Sequence, residues 1–187
     1  MAIIQMMIIE RPNELKDIES ANWSLVYGRR KTGKSFLVEN FVNFDDFFFV
    51  KRDRTIISKK DTRQISYDTF LEILSRDLQE EKTVVVDEFH RLGDGFFDRL
   101  HSMKRKGNLI LISSTLYLSK KLLTSKSPLL GLFNEVPIEL IELRDVLRNI
   151  KNFKQSKKNI LTLAILFKEP LAINFLKKQS AKQIITN

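Results

Sequence analysis

The chain has 187 residues, 43% hydrophobic and 29% charged, with a formal charge of +9. That length supports one substantial core, the apolar share excludes a disordered chain, and apolar runs such as residues 1–9 or 108–112 fall far short of the roughly 20 residues that span a bilayer. With no cysteine and two histidines, disulfides, thiolate chemistry and a zinc cluster are excluded and magnesium is the metal to consider, while the positive field attracts polyanions: nucleotides, nucleic acid or an acidic partner surface.

At the N-terminus no basic segment precedes the apolar stretch and no small-residue cleavage site follows it, so a cytoplasmic location is expected. From Glu10 to Ser20 the pattern is polar with Leu15 and Ile18 at helical spacing, and Pro12 suits a first turn, which predicts a short helix. Trp23 to Tyr27 is a compact apolar run ending at Gly28, and Phe36, Leu37, Asn40 and Phe41 resume helical spacing: strand, glycine loop, helix.

The intervening Gly28-Arg29-Arg30-Lys31-Thr32-Gly33-Lys34-Ser35 matches the full phosphate-binding P-loop pattern. Its glycines let the backbone curl around phosphate oxygens. Consecutive N–H groups and the next helix N-terminus then form an anion cradle, to which Lys34 adds a charge at the β- and γ-phosphates. The hydroxyl of Ser35 is placed to ligate magnesium. A chance match in a chain this long is on the order of one per cent. Arg29, Arg30 and Lys31 fill the variable positions, where they either add to the phosphate field or point into solvent; solvent is the simpler reading.

Further along, Phe47 to Val50 form an aromatic strand that passes into Lys51, Arg52, Arg54, Lys59 and Lys60, read as an exposed loop and a candidate nucleic-acid patch. Ser66 is placed to cap a helix carrying Tyr67, Phe70, Leu71, Leu74 and Leu78 on one face. The β-branched run Thr83 to Val86 is a buried parallel strand that delivers Asp87 and Glu88 at its C-terminal end, where open α/β sheets bind ligands. This is a Walker B pattern: Asp87 would hold magnesium through Ser35 or through water, and Glu88 would polarise the water that attacks the γ-phosphate. His90, just beyond, reads as a surface or packing histidine outside the mechanism.

Phe96, Phe97, Leu100 and Met103 predict a helix whose last turn carries Lys104, Arg105 and Lys106 ahead of a capping Gly107. Leu109 to Ile112 give a fourth strand ending in Ser113-Ser114-Thr115, which would bring at least one hydroxyl near the γ-phosphate or attacking water. A fifth strand is expected over Val136 to Leu140. From about Leu143 the pattern is helical and lysine-rich, interrupted by Pro170. Alternating strands and helices imply a parallel α/β sheet covered on both faces, with a core over residues 1–142 and a helical lid over 143–187.

With these residues in view, the chain resembles the archaeal ATPase family of P-loop proteins, near the AAA+ and STAND groups. The resemblance rests on Ile9-Glu10-Arg11-Pro12-Asn13-Glu14-Leu15, Tyr27 to Ser35, Val84 to Leu92, Leu109 to Thr115 and Ser127-Pro128-Leu129-Leu130-Gly131. It implies an ASCE-type core, with another strand between the P-loop strand and the Walker B strand, ATP and Mg2+ as ligands, and Glu88 as catalytic glutamate. Family members commonly carry an arginine directly after that last glycine, but here Leu132 follows Gly131. Arg144 and Arg148 are the nearest substitutes as phosphate sensors, and a low basal turnover is expected. Relatives commonly continue into winged-helix or nuclease-like regions, for which 187 residues leave no room, so DNA binding is not carried over. Three functions stay open: an ATP-hydrolysing regulator or DNA-associated motor, a nucleotide-binding switch with negligible turnover, and an adaptor. A homo-oligomer or a partner protein that supplies the arginine fits each of the first two.

Overall fold

The computed structural model describes residues 8–115, 131–150 and 157–176. The chain divides into two compact units: Asn13–Arg30 with Lys34–Ile138, and Met1–Pro12 with Lys31–Gly33 and Glu139–Asn187.

The larger unit is built on a mostly parallel sheet of seven strands: β1 (Trp23–Tyr27), β2 (Asp46–Val50), β3 (Ile56–Ser58), β4 (Gln64–Ile65), β5 (Thr83–Asp87), β6 (Asn108–Ser113) and β7 (Asn134–Pro137). Their order across the sheet is β4-β3-β2-β5-β6-β1-β7. β6 thus lies between the strand that enters the P-loop and the strand that carries Asp87, as the resemblance implies. The helices are α1 (Pro12–Glu19), α2 (Lys34–Phe41), α3 (Tyr67–Gln79) and α4 (Asp94–Ser102).

Alternation along each strand sorts the side chains onto two faces. Leu25, Phe48, Val50, Val84, Val86, Leu109 and Leu111 meet Phe70, Leu74 and Leu78 of α3 and Phe96 and Leu100 of α4 in one core. Val26, Phe47, Val85, Ile110 and Ile112 face the other way, onto Ile18 of α1 and Leu37 and Val38 of α2. Burial on both faces is why these strands read as continuous apolar runs. Ser66 caps α3, its hydroxyl accepting the Thr69 N–H at 3.1 Å, the position expected from sequence.

Three expectations change. The basic segment is not simply a loop: Ile56–Ser58 pairs antiparallel with β2, and Gln64–Ile65 pairs with β3. A tight turn over residues 51–55 reverses the chain, with the Arg54 N–H donating to Lys51 O and Asp53 accepting from the Thr55 N–H, and this buries Ile56 and Ser58. Its cations, Lys51, Arg52, Arg54, Lys59 and Lys60, remain exposed. Second, α4 ends at Ser102, because Met103 turns extended while its N–H bonds Leu100 O, so Lys104 to Lys106 lie past the helix. Gly107 is needed for close approach, not for capping: a Cβ there would stand 2.5 Å from Lys82 O. Third, the last strand begins two residues earlier than expected. Pro137, which has no N–H, is tolerated because β7 is an edge strand, and Ile138 N–H continues the ladder to Tyr27 O at 2.7 Å.

The smaller unit contains α5 (Leu143–Ile150), α6 (Lys157–Leu166) and α7 (Pro170–Leu176). Val146 and Ile150 pack with Ile9, Ile141, Leu163, Ala164 and Phe167 around a separate apolar centre. Pro170 opens α7, where a missing N–H costs nothing. Ser127 to Leu130, and the helical readings over 151–156 and 177–187, lie outside the described residues. No helix among the described residues is long and apolar enough to cross a membrane.

Candidate functional site

Strand β1 delivers the chain to Gly28, where a Cβ would lie 2.1 Å from the backbone oxygen of Ile138, so only glycine fits. The loop then bends through left-handed conformations at Lys31 (φ 67°) and Gly33 (φ 87°) before α2 starts at Lys34. Lys34 is 5% exposed, and its ammonium donates to the carbonyls of Gly28 at 3.0 Å and Arg29 at 2.7 Å. Burial pushes its pKa down, opposed by the nearby charges of Glu88 and Asp87. The ammonium therefore sits in the field of the acid pair.

One residue on, the Ser35 hydroxyl donates to Asp87 Oδ2 at 2.7 Å. Asp87 is almost removed from solvent, and its other oxygen, Oδ1, has no hydrogen-bond partner among the described residues. Burial raises the pKa of this carboxyl, while the Ser35 hydrogen bond works the other way. A buried acceptor left without a donor costs free energy, roughly 1–3 kcal/mol. A hydroxyl and an orphaned carboxylate oxygen side by side are the hard-oxygen donors that magnesium selects, and such sites use one or two carboxylates, with phosphates and water completing the shell. The residues present fit that ion. Among the described residues there is no cluster of three or more His, Cys, Asp or Glu that could hold a metal.

Glu88 follows in a left-handed conformation, φ 57° and ψ 33°, a strained backbone for a residue other than glycine. That carboxylate meets Arg91 Nη2 at 2.7 Å, and the same guanidinium donates to Val50 O at the end of β2. On the other side His90 Nε2 lies 3.5 Å from Glu88 Oε2. His90 also contacts the hydroxyls of Ser113 and Thr115, whereas the buried Ser114 hydroxyl has no hydrogen-bond partner among the described residues. The polar end of β6 is thus joined to the acid pair through a histidine that sequence reasoning set aside.

Arg29, Arg30 and Lys31 are exposed, but Thr32 is 1% exposed. Within the smaller unit the buried Arg11 donates to Thr32 O at 3.1 Å and to Glu139 O at 3.1 Å, holding the crown of the loop. Nothing in the pattern around Arg11 signals this, because its targets are backbone carbonyls. Arg144 pairs with Glu142 at 3.0 Å, and Arg148 lies 3.6 Å from Asp145; these contacts are with acids of their own segment. Leu132 packs, partly buried, against the α3–α4 core.

The sheet order, the glycine loop between β1 and α2, and the acid pair at the end of β5 define a P-loop NTPase of the AAA+ type. Residues 20–162 match the model of the AAA domain family, and the chain belongs to that family of nucleotide-binding ATPases. Its fold is similar to the Walker-type ATPase paby2304 of Pyrococcus abyssi, with a TM-score of 0.65, 17% identity, and coverage of 96% of this chain and 71% of that one. It is also similar to the STAND protein PH0952 of Pyrococcus horikoshii, a signal-transduction ATPase with a tetratricopeptide repeat sensor, at a TM-score of 0.62 and 17% identity. There the chain is covered to 96% but spans only 32% of the other protein. No curated protein matches the sequence.

Proposed function

We propose that the chain binds ATP with magnesium at residues 28–35 and hydrolyses it slowly, serving in the cytoplasm as an AAA+/STAND-like regulator or DNA-associated ATPase. The observation that carries this reading is the Ser35–Asp87 hydrogen bond beside the orphaned Asp87 Oδ1, with Glu88 next in the chain. Magnesium would supply neutralisation of charge on the β- and γ-phosphates when bound. Ser35 and Asp87 would hold it. Lys34 would exchange the Gly28 and Arg29 carbonyls for phosphate oxygens, a better partner for a buried ammonium. Glu88 would orient the attacking water and accept its proton. Residues 143–187 would act as a helical lid, with Arg144 or Arg148 available to sense phosphate in the same chain or across an interface. Leu132 in place of an arginine, and the hold of Arg91 on Glu88, favour slow turnover and keep the nucleotide switch as the second reading.

The test is a pair of variants. Lys34→Ala is expected to weaken Mg-ADP binding about 10²-fold or more in calorimetry, as loss of a buried charge contact does. Glu88→Gln should bind as wild type while single-turnover hydrolysis falls about 10²- to 10⁴-fold. Unchanged affinity in the first would remove the phosphate role of Lys34. An unchanged rate in the second would assign water activation elsewhere, and binding without any wild-type hydrolysis would leave the switch.

A further inference from the structure

His90 carries contacts on both ring nitrogens. Nε2 lies 3.5 Å from Glu88 Oε2 and 3.3 Å from Thr115 Oγ1, and Nδ1 lies 3.1 Å from Ser113 Oγ. The Ser113 oxygen in turn takes the Thr115 N–H at 3.2 Å. These contacts run from the end of β6 through the ring to the carboxylate. The charged groups around the ring are Glu88, Arg91 and Arg30; burial outweighs Glu88 and depresses the imidazole pKa, which favours the neutral ring.

Sheet order gives the contact its meaning. β5 lies between β2 and β6, and β6 lies next to β1, the strand that enters the P-loop. Glu88, at the end of β5, is therefore held from two sides: toward β2 by Arg91, which is anchored on Val50 O, and toward β6 by His90. The Arg91 hold is an ion pair. The His90 hold depends on where the Ser113 and Thr115 hydroxyls point, and those hydroxyls end the strand adjacent to the phosphate-loop strand.

We propose that His90 is a positioning residue for ATP hydrolysis, which sets the Glu88 carboxylate according to the state of the Ser113 and Thr115 hydroxyls and so ties the water-orienting group to occupancy of the γ-phosphate position. This rests on the ATPase reading above and deepens it. When the two hydroxyls turn to a γ-phosphate, the ring loses both of its hydroxyl contacts and is free to follow Glu88 away from Arg91. With diphosphate bound, the hydroxyls stay on the ring and Glu88 stays paired.

The experiment uses the full chain with Mg-ATP for single-turnover rates and Mg-ADP for calorimetry. His90→Ala should slow the chemical step about 10- to 100-fold, the cost of a misplaced catalytic group, with Mg-ADP affinity within about twofold of wild type. His90→Gln, whose amide both donates and accepts, should recover most of the rate. In a Glu88→Gln background His90→Ala should cost nothing further, because the group it positions is gone. Unchanged turnover in His90→Ala, a parallel loss of Mg-ADP affinity, or a full additional loss in the Glu88→Gln background would each overturn the positioning role. If His90→Ala melts early, His90→Phe, which keeps the ring without its nitrogens, takes its place: a chemical step slowed about 10-fold or more supports the role, and an unchanged one overturns it. Absence of wild-type hydrolysis would take down the ATPase reading and this inference together, whereas a slow Glu88→Gln beside a wild-type-like His90→Ala removes the inference alone.

Discussion

Two buried aspartates flank the strand β5, and the protein treats them differently. Asp77, in the last turn of α3 near the start of β5, is 0% exposed; its Oδ1 is met by Arg76 at 3.0 Å and Lys82 at 3.2 Å, and its Oδ2 has no hydrogen-bond partner among the described residues. Asp87, at the far end of the same strand, is 3% exposed and is met by a neutral hydroxyl on one oxygen and by nothing described on the other. At the first end the protein supplies the cations that a buried carboxylate needs. At the second it supplies a neutral hydroxyl in place of an ion pair, beside a lysine that burial also disfavours as a cation and a glutamate in strained backbone. Each carboxylate leaves one oxygen without a hydrogen bond, but the charge of the first is matched by cations of the protein itself. The charge of the second is one that a cationic ligand would match.

That contrast can be broken by experiment. The largest effect is expected for Asp87→Asn: on the proposed reading this variant loses a magnesium ligand, which should remove several kcal/mol of transition-state stabilisation, about 10²-fold or more in turnover. Its ligand-free melting temperature should not fall, because an amide tolerates a desolvated site better than a carboxylate does. A clear drop in that temperature, with magnesium dependence intact, would make Asp87 a structural residue like Asp77. Asp77→Ala should do the reverse, lowering stability by about 1–3 kcal/mol through lost charged hydrogen bonds, read as a melting temperature several degrees lower with nucleotide affinity unchanged. Any loss of affinity there would mean that the two ends are coupled. The smallest effect is expected for Ser66→Ala, which uncaps the other end of the helix that bears Asp77, at about 1 kcal/mol. Should it cost as much as Asp77→Ala, general fraying of α3 and not the ion pairs would account for both.

The sequence by itself determined whatever is written in neighbouring residues. The P-loop fixes its own glycines, Lys34 and Ser35 by local spacing; Thr83 to Asp87 announces a buried strand by β-branching; Ser66 announces a cap. Alternation within β1, β5 and β6 already assigns the two faces of the sheet, because a strand must point successive side chains in opposite directions. What only the tertiary structure decided depends on residues far apart in the chain. Ile56 and Ile57 are too short a run among cations to read as a strand until β2 offers its edge. Gly107 is explained by a carbonyl 25 residues earlier, Lys82 O, and not by its own helix end. Arg11 reaches Thr32 O across 21 residues, and His90 reaches Ser113 across 23. Single polar residues of that kind carry no periodic signal. Their roles come from which strand ends the fold makes neighbours, and the placing of β6 between β1 and β5 is what brings the histidine between Glu88 and the polar end of the next strand.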